Sequence, residues 1–429
     1  MTATESVSVR ARSRAFPWTP LAVLGAAVFL SVTGEMLPAG LLPEMSADLR
    51  VGEPAIGLLV TVFAFTVVAT SAPLTALTQR MGRRRLLVIA LAVLASAQFL
   101  TAISPDYAWV VASRIVGGLA HGVFWALVAA YAARLVPREL VGRAVAVVLG
   151  GGTLALVFGV PLATTLGQAA GWRTAFLLLG LLTAVGALLV RAVLPAADGP
   201  AVAAASEAAD AAERRPALRD ATVPAIVAVC VVTALTMTGQ YAVYTYVAPL
   251  LTDVVGVRSA AVGPLLFVYG IAGAVGLVLA GSVLGRRPTS GLVGAMSVAA
   301  VAVVGIVLAQ GQAVLSLAAF ALWGIAFGAI PPLLQTRLLQ SASPRIRDVA
   351  SAFYTTAFNV GIGGGAMVGA LLYGGFGVAA LPFAFAIVLL GAIGAVLAPV
   401  LRTRPGRGGA GRVEAQPSGS TVPSTPSAR

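Results

Sequence analysis

The chain has 429 residues, 59% of them hydrophobic and 10% charged, with a mean hydropathy of +0.96 and a formal net charge of +13. About a quarter of a soluble domain is charged, so the polar residues here cannot cover a water-facing surface and lipid must solvate much of the chain. Cys230 and His121 are the single cysteine and histidine, which excludes an internal disulfide and any multi-cysteine or multi-histidine metal site; no metal or other cofactor is expected.

A membrane span needs roughly 20 mostly apolar residues. Segments of that kind fall at 19–42, 55–78, 86–103, 107–131, 144–166 and 174–194. After a polar stretch come 223–248, 260–284, 289–310, 313–334, 350–373 and 381–401. The expected fold is therefore an all-α membrane protein of twelve transmembrane helices in two six-helix bundles, 19–194 and 223–402. The first segment is too long for a signal-peptide core and carries Glu35 in its interior. Residues 1–18 form a basic cytoplasmic tail, 195–222 an Ala/Pro-rich cytoplasmic linker, and 403–429 a Gly/Ser/Pro-rich tail; the three are expected to be largely disordered.

All 28 basic residues are arginine, which suits a GC-rich bacterial coding sequence. With the N-terminus placed inside, 24 of them fall in cytoplasmic segments, three outside (Arg50, Arg173, Arg258), and Arg114 lies within a helix. That asymmetry puts both termini in the cytoplasm of a bacterial inner membrane. It also accounts for the basic excess without a nucleic-acid partner.

The halves repeat. Pro43–Gly57 (PEMSADLRVGEPAIG) matches Pro249–Gly263 (PLLTDVVGVRSAAVG), GRRR at Gly82 matches GRR at Gly285, and Pro137-Arg138 matches Pro344-Arg345. The offsets are 206, 203 and 207 residues. Six helices per half make this a parallel repeat about an axis normal to the membrane, an arrangement that places a substrate site near mid-membrane between the halves.

Charge inside a membrane is costly and marks function by default. Glu35 is the acidic residue lying well inside a helix; Arg114 and His121 are its basic and titratable counterparts. Glu35 and Arg114 each lie about 10 Å below the outer end of their helix by helical rise, a common depth at which the two could pair. His121 is two turns further along the face of Arg114 and could carry a proton near neutral pH. These three are the expected proton-coupling residues; the bland alternative is a structural ion pair with a packed histidine. Thr33, Gln240, Tyr241, Tyr244, Tyr269, Trp323, Tyr354 and Asn359 are candidates to line a substrate cavity, although aromatic residues in membrane helices also simply pack. Gly151, Ala155 and Gly159 stand four apart before Pro161, a pattern that permits close helix approach and then a kink.

At these residues the chain resembles the major facilitator superfamily, in particular the twelve-helix drug:proton antiporters and their sugar-efflux or arabinose-efflux-like branch. That family carries G-x-L-a-D-R-x-G-R-[RK] between its second and third helices. Here Gln79-Arg80-Met81-Gly82-Arg83-Arg84 keeps the basic half, while Gln79 stands at the acidic position and Thr75 at the leading glycine. The second half has Gly281 at the leading glycine and Gly285 where an acid would stand. Arg114 and Gly118 meet the family's fourth-helix R-x-x-x-G motif, whose arginine is implicated in proton coupling. Gly159-Val160-Pro161 replaces the Gly-Pro of its fifth helix. TGEMLPAGLLPEM, RIVGGLAHGVFW and GWRTAF (Gly171–Phe176) are similar to the efflux branch. Over about residues 19–402, the resemblance implies a monomeric, proton-coupled exporter of a drug, sugar or related small molecule working by alternating access. A proton symporter or uncoupled facilitator stays open at this point. A membrane enzyme has no H-E-x-x-H or G-x-S-x-G motif to support it.

Overall fold

The computed structural model describes residues 16–78, 81–195 and 220–402. Twelve helices are long and apolar enough to cross a membrane. In the first half they are α1 Trp18–Gly40, α2 Glu53–Leu77, α3 Arg83–Ala102, α4 Tyr107–Arg134, α5 Val141–Ala170 and α6 Trp172–Val193. In the second they are α7 Val223–Tyr244, α8 Ser259–Arg286, α9 Pro288–Leu308, α10 Ala313–Ser341, α11 Val349–Phe376 and α12 Val378–Ala398. The expected linker and both tails fall outside the described residues apart from 16–18, 195 and 220–222, as do Gln79 and Arg80 of the basic turn.

The repeat read from the sequence is a repeat of packing. In the first half α1 lies on α5, α2 on α4 and α3 on α6; in the second α7 lies on α11, α8 on α10 and α9 on α12. Even the tight turns agree. Gly171, between α5 and α6, and Gly377, between α11 and α12, are 206 residues apart and both adopt positive φ, 89° and 81°, where a side chain would be strained. Outward-facing Leu162, Leu181, Leu188, Val278, Val301, Leu371 and Ile387 are more than half exposed, an apolar surface that only lipid can solvate.

Several boundaries differ from the sequence expectation by a few residues, and one span carries an irregular turn. The first span closes at Gly40, and a separate short helix, Leu42–Leu49, follows it. Within α5 the turn Ala155–Gly159 is π-helical: Pro161 removes a backbone donor, and the chain absorbs the loss by widening the preceding turn. α10 runs to Ser341 rather than 334, because the polar TRLLQS continues the helix beyond its apolar part.

Small residues set the helix separations. A side chain at Gly151 would collide with the Gly25 carbonyl, so α5 and α1 touch backbone to backbone there. Gly118 meets the Phe63 carbonyl in the same way, bringing α4 against α2. Gly159 leaves room for the Thr33 hydroxyl.

The halves meet at the end of the bundle opposite the chain termini. There Thr61 donates to the Gly363 carbonyl (3.0 Å) and Tyr373 to a Glu53 carboxylate oxygen (2.6 Å), while the Tyr246 hydroxyl, which donates to the Ala366 carbonyl of its own half (2.9 Å), lies against Gly57 and 3.4 Å from the Pro54 carbonyl. On the other edge α5 touches α8, with the Phe158 and Phe267 rings 5.4 Å apart. One hydrophobic core runs from Met36–Ala64 and the outer part of α6 into the second half, while a separate core holds the terminus-proximal turns of the first half alone. At that same closed end Asp48 accepts from the indole of Trp172 (3.0 Å) and from Arg173, whose second amino group reaches the Ser104 carbonyl (2.9 Å). The Arg173 hydrogen bond holds the Asp48 carboxyl below the usual carboxylate range.

Candidate functional site

α1 and α4 cross at the middle of the first half, and the three charged or titratable residues of the interior come together there. Glu35, Arg114 and His121 are 6%, 3% and 4% exposed. The expected carboxylate–guanidinium pair is not what forms. Arg114 donates instead to two main-chain carbonyls of α1, those of Gly34 and Glu35, each at 2.8 Å. Its guanidinium also lies over the Phe63 ring, 4.2 Å from the centroid, a cation–π contact that counts for more when desolvated. The Glu35 carboxylate faces His121, with Oε2 3.5 Å from Nε2. The other imidazole nitrogen, Nδ1, is 2.9 Å from Ser31 Oγ, and Phe63 meets the imidazole edge-on at 5.0 Å. Ser31, His121 and Glu35 thus form a short polar chain enclosed by apolar side chains. Ser31 is one helical turn before Glu35 on the same face, a signal open to sequence reasoning and missed by it.

The second half faces this chain with aromatic residues. Gln240 is fully buried and joins two rings: its Nε2 donates to the Tyr269 hydroxyl and its Oε1 accepts from the Trp323 indole, both at 2.9 Å. Tyr244, Phe320 and Phe385 pack around Trp323 with centroids 6.4, 5.9 and 6.4 Å away. Gln240, Tyr269 and Trp323 therefore satisfy one another as a rigid wall. The hydroxyls of Tyr241 and Tyr244 take no partner among the described residues. Tyr241 stands within electrostatic range of Glu35 across the boundary between the halves.

The remaining candidates lie apart from this centre. Thr33 turns its hydroxyl back to the Phe29 carbonyl (2.7 Å). Tyr354 ties α11 to α10 through the Pro331 carbonyl (2.9 Å). Asn359 is half-buried and bonded to the Thr355 carbonyl of its own helix. In the basic turn Gly82 precedes α3 and Arg84 reaches the Leu194 carbonyl at the end of α6 (3.0 Å), while Arg83 is also engaged. A groove of about 530 Å³ between α7 and α11 is lined by apolar residues such as Ile226, Val231 and Phe353, and by none of the predicted site residues.

The 206-residue register explains the division between the halves. It carries Glu35 onto Tyr241, Phe63 onto Tyr269 and Arg114 onto Phe320. The cation–π contact of the first half becomes a ring pair, Tyr269–Phe320 at 5.2 Å, in the second. Equivalent positions hold charge on one side and aromatic surface on the other.

Two six-helix bundles related by a parallel repeat, with a buried ionisable cluster in the first facing aromatic residues of the second, have the architecture of a membrane transporter. A family model for the Major Facilitator Superfamily matches residues 24–366. The chain is 36% identical over 369 residues to a chloramphenicol efflux pump of Mycobacterium tuberculosis, covering 83% of this chain and 87% of that one. It is 30% identical over 374 residues to a "Probable sugar efflux transporter" of Mannheimia succiniciproducens, covering 86% and 90%. Among solved structures, a D-xylose-proton symporter superposes with a TM-score of 0.71 at 18% identity, covering 89% of this chain and 97% of that chain. A bacterial homologue of the lysosomal transporter Spinster gives 0.70 at 15%, covering 91% and 95%; at such identities the likeness concerns the fold. The chain belongs to the Major Facilitator Superfamily. It is a multi-pass membrane protein and a secondary transporter of small molecules, not an enzyme.

Proposed function

We propose that this transporter exports its cargo in exchange for protons by alternating access, with Glu35 as the proton carrier. The observation that carries the reading is the Glu35 carboxylate itself. It is buried, and it is turned to His121 while Arg114 bonds the backbone. A deprotonated Glu35 presents charge to the cavity and a protonated one does not. Proton and cargo can therefore compete for one site, which is what exchange requires. His121 and Ser31 extend the carboxylate toward the terminus-bearing end and give the proton a route there.

The arginine distribution supports termini in the cytoplasm, with 19–194 and 223–402 as the two moving bodies, 195–222 as their linker, and a monomer as the working unit in the inner membrane. In that orientation the contacts between Thr61, Tyr246, Tyr373 and their partners close the outer end, and the conformation is inward-facing. The relatives' names suggest chloramphenicol or a sugar as first cargos to try. Tyr241 and Tyr244 are the hydroxyls placed to bind them, and the Gln240–Tyr269–Trp323 triangle is the wall against which they would lie.

The test is accumulation of labelled chloramphenicol, and in parallel a labelled sugar, in proteoliposomes under an imposed proton gradient. Exchange predicts uptake above equilibrium only when the lumen is acidic, lost in Glu35→Gln. Uptake that needs an alkaline lumen would identify a symporter, and equilibration indifferent to the gradient a facilitator.

A further inference from the structure

Arg114 spends its guanidinium on the backbone of α1 rather than on the Glu35 carboxylate, at a point where that helix carries a defect. Pro38 lies inside that helix. It has no N–H, so the carbonyl four residues earlier, Gly34, loses its helical donor, and the ring crowds that carbonyl outward. A buried carbonyl without a donor is costly. The donor it receives is Arg114 Nη1 at 2.8 Å, while Nη2 takes the adjoining Glu35 carbonyl at 2.8 Å. A planar guanidinium presents two parallel N–H groups that can bridge adjacent carbonyls. With its fork on the main chain and its face on Phe63, it leaves the carboxylate to His121.

Among the described residues this use of a proline recurs nowhere else. Pro73, Pro161, Pro264, Pro331, Pro332 and Pro382 also lie within spans. No described side chain donates to the carbonyls four residues before them, those of Ala69, Val157, Ala260, Phe327, Gly328 and Val378. In the second half, the 206-residue register puts Gln240 at Gly34, Tyr244 at Pro38 and Phe320 at Arg114. The proline and the arginine are present together in the first half and absent together in the second.

We infer that Pro38 is a positioning residue for proton coupling: by releasing the Gly34 carbonyl it captures Arg114 on the backbone and keeps the Glu35 carboxylate free of a permanent ion pair. The inference rests on the reading of Glu35 as the proton carrier. A carboxylate beside an unrestrained arginine would stay charged over the working range and could not alternate. The charged and titratable groups facing Glu35 are Arg114 and His121 from α4 and Tyr241 from α7. The middle turns of α2, α3, α5 and α6, packed around α1, contain no ionisable residue, and Tyr244 and Tyr269 of the second half pack against each other with ring centroids 5.4 Å apart.

Pro38→Ala restores the N–H to Gly34 and makes the guanidinium's hold on that carbonyl redundant. The experiment is a pH titration of the protonated-carboxyl infrared band of the purified protein, assigned to Glu35 by its loss in Glu35→Gln, and needs no cargo. We expect the midpoint in Pro38→Ala to move acidic by about one to three units, as for a carboxylate gaining an arginine, a ten- to thousand-fold fall in proton affinity. Pro38→Gly, which restores the same N–H without favouring the helix, should move it likewise, and either shift should vanish in an Arg114→Gln background. An unmoved midpoint in both folded proline variants overturns the inference and leaves Glu35 as carrier. Absence of any Glu35 band that titrates would remove the carrier reading itself.

Discussion

The hydrogen bond from Tyr373 to Glu53 should set the balance between the two conformations. It joins α11 to α2 across the halves at 2.6 Å, and it can form only while the end opposite the termini is closed. Tyr373→Phe removes the donor and keeps the ring, including its 5.5 Å contact with Tyr246. Hydrogen bonds to charged acceptors contribute about 1.5–3 kcal/mol. Both side chains are only partly buried, so the lower value applies, about 1.5 kcal/mol. Because about 1.4 kcal/mol is a factor of ten in a population, the variant should shift about tenfold toward opening at that end. The assay is pulsed electron spin resonance in a Cys230→Ser background, with nitroxides at positions 50 and 376, which lie on the two halves near this gate. Wild type should give one short distance, and Tyr373→Phe should add a longer component. Glu53→Gln keeps a neutral acceptor and should shift less. An unchanged distance distribution in Tyr373→Phe would refute the assignment of this contact as a gate.

Three further outcomes follow from the packing and the charges. Gly151→Leu forces a side chain into the Gly25 carbonyl, and overpacking of this kind costs about 1–3 kcal/mol; the melting temperature in detergent should fall, while Gly142→Leu, at a position with open space, should leave it unchanged. Gln240→Leu strands the Trp323 indole N–H in a fully buried site, at a cost of about 1–3 kcal/mol, and should weaken cargo binding measured by calorimetry along with thermal stability. Asp48 has a folded pKa below its unfolded value, so its contribution is present above the unfolded pKa and disappears as pH falls through the folded one. Being exposed, it contributes less than about 1 kcal/mol: Asp48→Asn should melt slightly below wild type at pH 7, and the two should converge at strongly acidic pH.

The spans were legible because about twenty apolar residues in a row have few alternatives, and the repeat was legible because loop residues kept their spacing. Rarity also marked the site: with so few charges in the membrane, Glu35, Arg114 and His121 were bound to be noticed. Their pairing was harder to read. Equal depth suggested an ion pair between Glu35 and Arg114, whereas the backbone defect at Pro38 offered the guanidinium a stronger claim. That clue was present, a proline four residues after a glycine opposite an arginine, but it becomes compelling only when α1 and α4 are known to touch there. The Gln240–Tyr269–Trp323 triangle joins three helices across 83 residues of sequence, and hydropathy carries no information about such contacts. Thr33, Tyr354 and Asn359 carry polar groups that a sequence cannot aim, and each spends its polarity on nearby backbone. Asp48 and the Trp172-Arg173 pair appeared as separate motifs and prove to be one contact at the closed end.

The central claim is that a proton and the cargo compete for Glu35. It is tested most directly by adding chloramphenicol to purified protein in unbuffered detergent containing a pH dye, with binding followed in parallel. Proton release on binding by wild type, absent in Glu35→Gln that still binds, is the predicted result. Binding to wild type without release, or equal release from Glu35→Gln, would contradict it.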